Sequence, residues 1–103
     1  MKLTYSDGIV LGDFAANITS AVDYTLAADE KKPFVACTFS AASKALTLGL
    51  LPGETMIVSN IGGSNTVTVK AIEGDTGTSV AAGKVALCIG SATANASKIY
   101  VLN

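Results

Sequence analysis

Few residues in this chain have the reactivity to do chemistry, and their spacing assembles none of the usual partnerships. Histidine and arginine are absent, and all seven positive charges are lysine. Without an imidazole, a Ser–His–Asp triad or a Cys–His pair has no general base, which excludes acyl transfer of that kind. Cys37 and Cys88 lie far apart, inside the apolar runs Phe34 to Phe39 and Val85 to Ile89. Two thiols with no imidazole do not complete a tetrahedral zinc site. Their expected role is that of small buried hydrophobes, with a disulfide between neighbouring strands left open. Glu73 and Asp75 flank Gly74 like part of a Ca²⁺ loop, but the oxygen-ligand spacing of an EF-hand does not surround them. Gly62-Gly63-Ser64 lacks the lysine of a phosphate loop and the helix that such a loop opens, so it reads as a turn. Asp29-Glu30 ahead of Lys31-Lys32-Pro33 reads as a solvated turn, and the sequons Asn17-Ile18-Thr19 and Asn95-Ala96-Ser97 read as chance matches. The expectation is a protein with no catalytic residue, no metal and no cofactor, and not an enzyme.

What positions these residues is a chain of 103 residues, the length of one domain with one core. Half of it is apolar and 15% is charged, which excludes intrinsic disorder. Net charge is −1, and with no arginine there is no basic face for nucleic acid. No run approaches the roughly eighteen apolar residues of a membrane helix. Lys2 alone, with Asp7 and Asp13 behind it, does not make a signal peptide. The chain is expected to be made in the cytosol and to be soluble there, or to leave without a cleaved signal.

From Asp23 onward, short runs rich in Val, Ile, Thr and Leu each close on Gly, Pro, Asn or Asp, the pattern of strands and turns. In Thr66 to Ile72, Val67, Val69 and Ala71 share one face, and Leu46, Leu48 and Leu50 do the same in the preceding run. Val85–Ile89 and Ile99–Leu102 are apolar on both faces, which suits a central strand or one pressed against another subunit. The turn residues are Pro52 and Gly53, ordered as the central pair of a type II turn, then Gly62 and Gly63 in a short hairpin loop, and Gly83. Residues 1–22 are apolar without useful periodicity and read as an extended arm plus a short strand; one or two helical turns over Asp13 to Ala21 also fit. Leu3, Tyr5, Ile9, Leu11 and Phe14 on this arm are the candidate subunit or partner contacts. The predicted fold is all-β: an antiparallel β-sandwich or small β-barrel over residues 23–103, with the N-terminal arm over 1–22.

The order of these pieces resembles a β-module of tailed-phage virion proteins. The matching segments are Tyr24 to Asp29, Ala45 to Leu48, Leu51-Pro52-Gly53-Glu54, Ile57 to Asn60 with the Gly-rich turn, and Thr66 to Val69. Gly74-Asp75, Val80 to Val85 and Lys98 to Leu102 complete it; Ile99 stands where the family often carries Trp. The resemblance implies a homotrimer in a tail fibre, head fibre or capsid decoration. With no long shaft in the sequence, the expected function is head decoration (capsid cement) or a head-fibre base on the virion surface, its partner the major capsid protein. The alternative is a tail-fibre or receptor-binding module for host-surface glycans, for which the six aromatic residues and lack of Trp are poor equipment.

Overall fold

The computed structural model describes residues 14–102. Among these residues nine strands follow one another: β1 (Ala15–Ser20), β2 (Tyr24–Thr25), β3 (Phe34–Phe39), β4 (Lys44–Thr47), β5 (Thr55–Asn60), β6 (Val67–Lys70), β7 (Thr78–Val80), β8 (Val85–Ile89) and β9 (Lys98–Leu102). The described residues contain no α-helix, only a 3₁₀ turn at Ala28–Glu30. None of their helices is long and apolar enough to cross a membrane. The segment Ala15–Ser20 is thus a strand and not a helical turn.

The strands form two open mixed sheets, one ordered β1-β3-β5-β8-β9 and the other β2-β4-β6-β7. The antiparallel expectation holds only for the second half. β1–β3, β3–β5, β2–β4 and β4–β6 pair in parallel, while β6–β7, β5–β8 and β8–β9 are antiparallel. The reason is the path. From β1 to β6 each connection carries the chain to the other sheet, so consecutive strands are not neighbours. Parallel strands need a long crossover, and here a strand of the opposite sheet supplies it. After β6 the chain turns back on itself, and the last three strands run against their neighbours.

Alternation decides what faces the core. Val35, Cys37 and Phe39 of β3, Met56 and Val58 of β5, and Ala86 and Cys88 of β8 point inward from the five-stranded sheet, with Ile18 of β1 beside them. Leu46, Val67, Val69 and Val80 meet them from the four-stranded sheet. Leu48 and Leu50 continue the inward row, their amides donating to the carbonyls of Lys70 (2.8 Å) and Ala71 (2.9 Å). One apolar cluster therefore serves both sheets. Both cysteines are buried in it as free thiols, and burial pushes Cys37 up to about 11 and Cys88 up to about 12.

The turns divide into one expected type and one surprise. Gly53 has φ +79°, and the Glu54 amide donates to the Leu51 carbonyl at 2.9 Å, so Leu51-Pro52-Gly53-Glu54 is the predicted type II geometry. Gly83, at φ +83°, turns the chain from β7 to β8 in the same way, with Lys84 N–H donating to Ala81. Gly62-Gly63 is not a hairpin loop. It leads from β5 in one sheet to β6 in the other. Gly63 takes φ +55°, and Gly62 lies so close to Thr38 that an added Cβ would overlap that side chain. Asn60 makes this crossing possible: fully buried, it donates from Nδ2 to the carbonyls of Asn65 (2.9 Å) and Val80 (2.8 Å). Asn65 in turn donates to the Phe39 carbonyl at 2.7 Å.

Candidate functional site

The outward sides of the two sheets have opposite character. On the four-stranded sheet, Thr25, Thr47 and Lys70 stand in one row, and Ala45, Thr68 and Ser79 in the next. Apart from Ala45, that face is hydroxyl and ammonium. On the five-stranded sheet, Ala15, Phe34, Ile57, Leu87 and Tyr100 stand directly in register across all five strands. The neighbouring row is Asn17, Ala36, Ser59, Val85 and Leu102. Phe34 is 38% exposed, Ile57 39%, Leu102 47% and Tyr100 52%. Scattered single apolar residues on a surface are ordinary, but an aligned row across a whole sheet is a contiguous patch, and such patches mark contact surfaces.

The same face explains the strands that are apolar on both sides. In β8, Ala86 and Cys88 serve the core while Val85, Leu87 and Ile89 serve the outside. In β9, Ile99 packs on the core and Tyr100 and Leu102 stand outside. Phe34 and Ile57 belong to this face but do not stand out in the sequence as contact residues. The signal that finds β8 and β9 would have found them, because Phe34 to Cys37 and Met56 to Val58 are likewise apolar at both parities.

Of the predicted contacts on the arm, only Phe14 is among the described residues. Leu3, Tyr5, Ile9 and Leu11 lie outside the described residues. Phe14 is half-buried, and its carbonyl accepts the Phe34 amide at 3.0 Å, so its backbone is tied to its own chain at the start of β3. The strand expected near the end of the arm is β1, an edge of the five-stranded sheet, which joins Ala15–Ser20 to the domain.

The polar clusters are occupied structurally. The Asp75 carboxylate is buried and accepts the amides of Asn95 (2.6 Å) and Ile72 (3.2 Å), while Asn95 Oδ1 accepts the Thr76 amide at 2.7 Å. This reciprocal clasp joins the β6–β7 and β8–β9 connections and employs both carboxylate oxygens on backbone donors. Glu73 is exposed and takes no part in it. Among the described residues no three His, Cys, Asp or Glu side chains gather as a metal site. Asp29 and Glu30 lie on the 3₁₀ turn. Tyr24 donates its hydroxyl to the Glu30 carboxylate (2.7 and 2.8 Å to its two oxygens), and that bond raises the phenol above its usual pKa. Lys31 Nζ donates to the Gly49 carbonyl at 3.1 Å. One further recess, about 440 Å³, lies beside the outer face of the four-stranded sheet and is lined by Ser43, Ser64, Asn65, Thr66, Thr68 and Ser79, with Ala42.

Comparison with protein-family models, with curated proteins and with solved structures found no match to this chain. The chemistry of its own surfaces therefore carries the functional reading.

Proposed function

We propose that this chain is a structural component of a tailed-phage particle, a head-decoration or head-fibre-base protein that forms a homotrimer and docks on the major capsid protein. The observation that carries the reading is the aligned apolar row Phe34–Ile57–Leu87–Tyr100 on one sheet, set against a polar opposite face. A two-sheet domain needs apolar side chains between its sheets. Apolar side chains on the far side of one sheet do nothing for the lone domain and are explained by burial in an assembly. The ordered turns and strands that resemble a phage virion module supply the setting, the capsid surface, and the expectation of three copies. Two open sheets around one core make a sandwich-like protomer suited to that role, with no catalytic task.

Magnitudes favour several contacts per particle over one. Covering a patch of ~300 Å² at about 25 cal/mol per Å² contributes about 7 kcal/mol. Association itself costs on the order of 4–15 kcal/mol in lost freedom. One such face is marginal, whereas three copies that cover one another's faces bury it three times, and the assembled trimer then meets a symmetric capsid through repeated contacts of its own. The test is cosedimentation of the purified chain with expanded heads assembled from the cognate major capsid protein. Saturable binding that raises the disassembly temperature of the heads is expected; a chain that stays in the supernatant at every concentration refutes the reading.

One observation favours a second reading, a tail-borne module for host-surface glycans: the hydroxyl- and amide-lined recess beside the polar sheet. Sugar hydroxyls would find partners there, but no aromatic ring lines it for stacking. Binding on a glycan array that is lost in Asn65→Ala would move the function to that face.

A further inference from the structure

We infer that the apolar face of the five-stranded sheet is covered by two further copies of this chain, three such faces enclosing a three-fold axis with the β9 edge of each copy beside the β1 edge of the next. The inference rests on the trimer of the proposed function and assigns its interface, which neither composition nor resemblance locates.

Three observations carry it. The first is where exposure is greatest. Tyr100 and Leu102 on the outer side of β9 are more exposed than Phe34 or Ile57. A partner must therefore reach the β9 edge as well as cover the middle of the face. Two sheets stacked flat cross at about 30° and diverge at their corners, so a face-to-face pair leaves that edge the least covered part. A neighbouring sheet that meets β9 at a corner covers its outer side, where Tyr100 and Leu102 stand.

The second is direction and charge. β9 is antiparallel to β8, and β8 to β5, so β9 runs with β5, β3 and β1. In a ring with strands along the axis, β9 meets the neighbour's β1 running the same way, as β1 and β3 already pair. The two strands have five and six residues, and among the described residues they are the two ends of the five-stranded sheet. β9 carries one charge, Lys98, and β1, Ala15–Ser20, carries none, so no like charges meet. An apolar, nearly uncharged edge without proline or bulge is the kind that proteins otherwise guard against pairing. Because β9 and β1 are different surfaces, the contact is head-to-tail, and such a contact must close into a ring or grow as a filament.

The third is fit. Neighbouring strands are about 4.8 Å apart, so five strands span about 19 Å, or about 24 Å with one further spacing at a corner. An equilateral triangle with such sides has its centre about 5.5–7 Å from each side, close to the ~5 Å that half of a ~10 Å sheet-to-sheet separation requires. Phe34, Ile57, Leu87 and Tyr100 from three copies would fill that space with one layer of side chains each, while the hydroxyl-rich sheets face outward.

The experiment is sedimentation equilibrium of the full chain at micromolar concentration, with circular dichroism to report folding. The expected species has three times the protomer mass. Tyr100→Lys and Leu102→Lys, both at positions already exposed, should shift it to a folded monomer with at least a tenfold loss of self-affinity. Asn17 and Leu102 stand in the same outward row at opposite edges of the sheet. The double variant Asn17→Cys with Leu102→Cys, treated with a short bis-maleimide, should give covalent bands up to the trimer and none beyond; Cys37 and Cys88 are buried and do not compete. A monomeric wild type overturns the inference. So does a dimer that Tyr100→Cys alone cross-links, the sign of two β9 edges paired about a two-fold axis. A trimer that both lysine variants leave intact also overturns it, since the three-fold contact is then elsewhere. A trimer that behaves as expected but does not bind heads refutes the virion reading and leaves the interface standing.

Discussion

The two sheets share one core, yet they are built to different rules on their far sides. The four-stranded sheet alternates cleanly, with Leu46, Val67 and Val69 inside and Thr47, Thr68 and Lys70 outside. The five-stranded sheet is apolar at both parities, with Val35, Val58 and Ala86 inside and Phe34, Ile57 and Leu87 outside. The first is the pattern of a sheet whose far side meets water, the second of one covered on both faces. Folding of the domain demands only one of the two faces. The surplus apolar face is therefore where function is to be sought, and the contrast between sheets is more informative than either alone.

The strongest way to break the comparison is through what the sheets have in common. Phe39, among the largest fully buried side chains, sits in the shared cluster. Phe39→Ala should cost about 3–5 kcal/mol in urea unfolding. If the two sheets are one cooperative unit, far-UV dichroism and tyrosine fluorescence should lose structure in a single transition; separated transitions would show two independent layers.

Next in size is the polar contact at the crossing between sheets. Asn60→Leu leaves the Asn65 and Val80 carbonyls without its amide, which should cost about 1–3 kcal/mol. A change below a few tenths of a kcal/mol would mean that the crossing is held by its glycines alone.

The sharpest contrast comes from matched substitutions on the two outer faces. Ile57→Lys and Ser79→Lys should each alter monomer stability by no more than about 0.5 kcal/mol, as exposed positions do. Only Ile57→Lys should weaken self-association or head binding. Equal effects would erase the functional distinction between the faces.

The smallest effect at neutral pH concerns the thiols. Cys37 and Cys88 are held protonated by burial, at about 11 and about 12, against an ordinary thiol near 9. The unfolded chain therefore loses these protons first. Their contribution is constant below pH 9 and is lost as pH rises through 9 toward 11–12. The native protein should resist thiol reagents at pH 8 and react fully in denaturant, and Cys37→Ala with Cys88→Ala should flatten the alkaline fall in the urea midpoint.

Several features were legible in the sequence because their causes are local. Leu46, Leu48 and Leu50, and Val67, Val69 and Ala71, are all buried as their alternation requires. Pro52-Gly53 forms its turn because proline presets one torsion and glycine accepts the positive φ of the next. Other features depended on remote partners. Gly62-Gly63 has hairpin composition, but a hairpin and a crossing between sheets place similar demands on a few small residues. What separates them is Asn60 reaching the Val80 carbonyl and Gly62 closing on Thr38, contacts between segments distant in the chain. Asp75 looked like half of a cation loop because its partner, Asn95, is twenty positions away.

On its own, the order of residues determined that this is a strand-and-turn protein without histidine or arginine, and which side of most strands is apolar. Period-two alternation and turn chemistry act over a few residues and need no partner to be read. The tertiary structure decided which strands are neighbours, that four of the seven pairings are parallel, and that Phe34, Ile57, Leu87 and Tyr100 line up as one surface. Alternation tells a side chain only which face it occupies. The register between strands, set by packing across two sheets, decides what stands beside it.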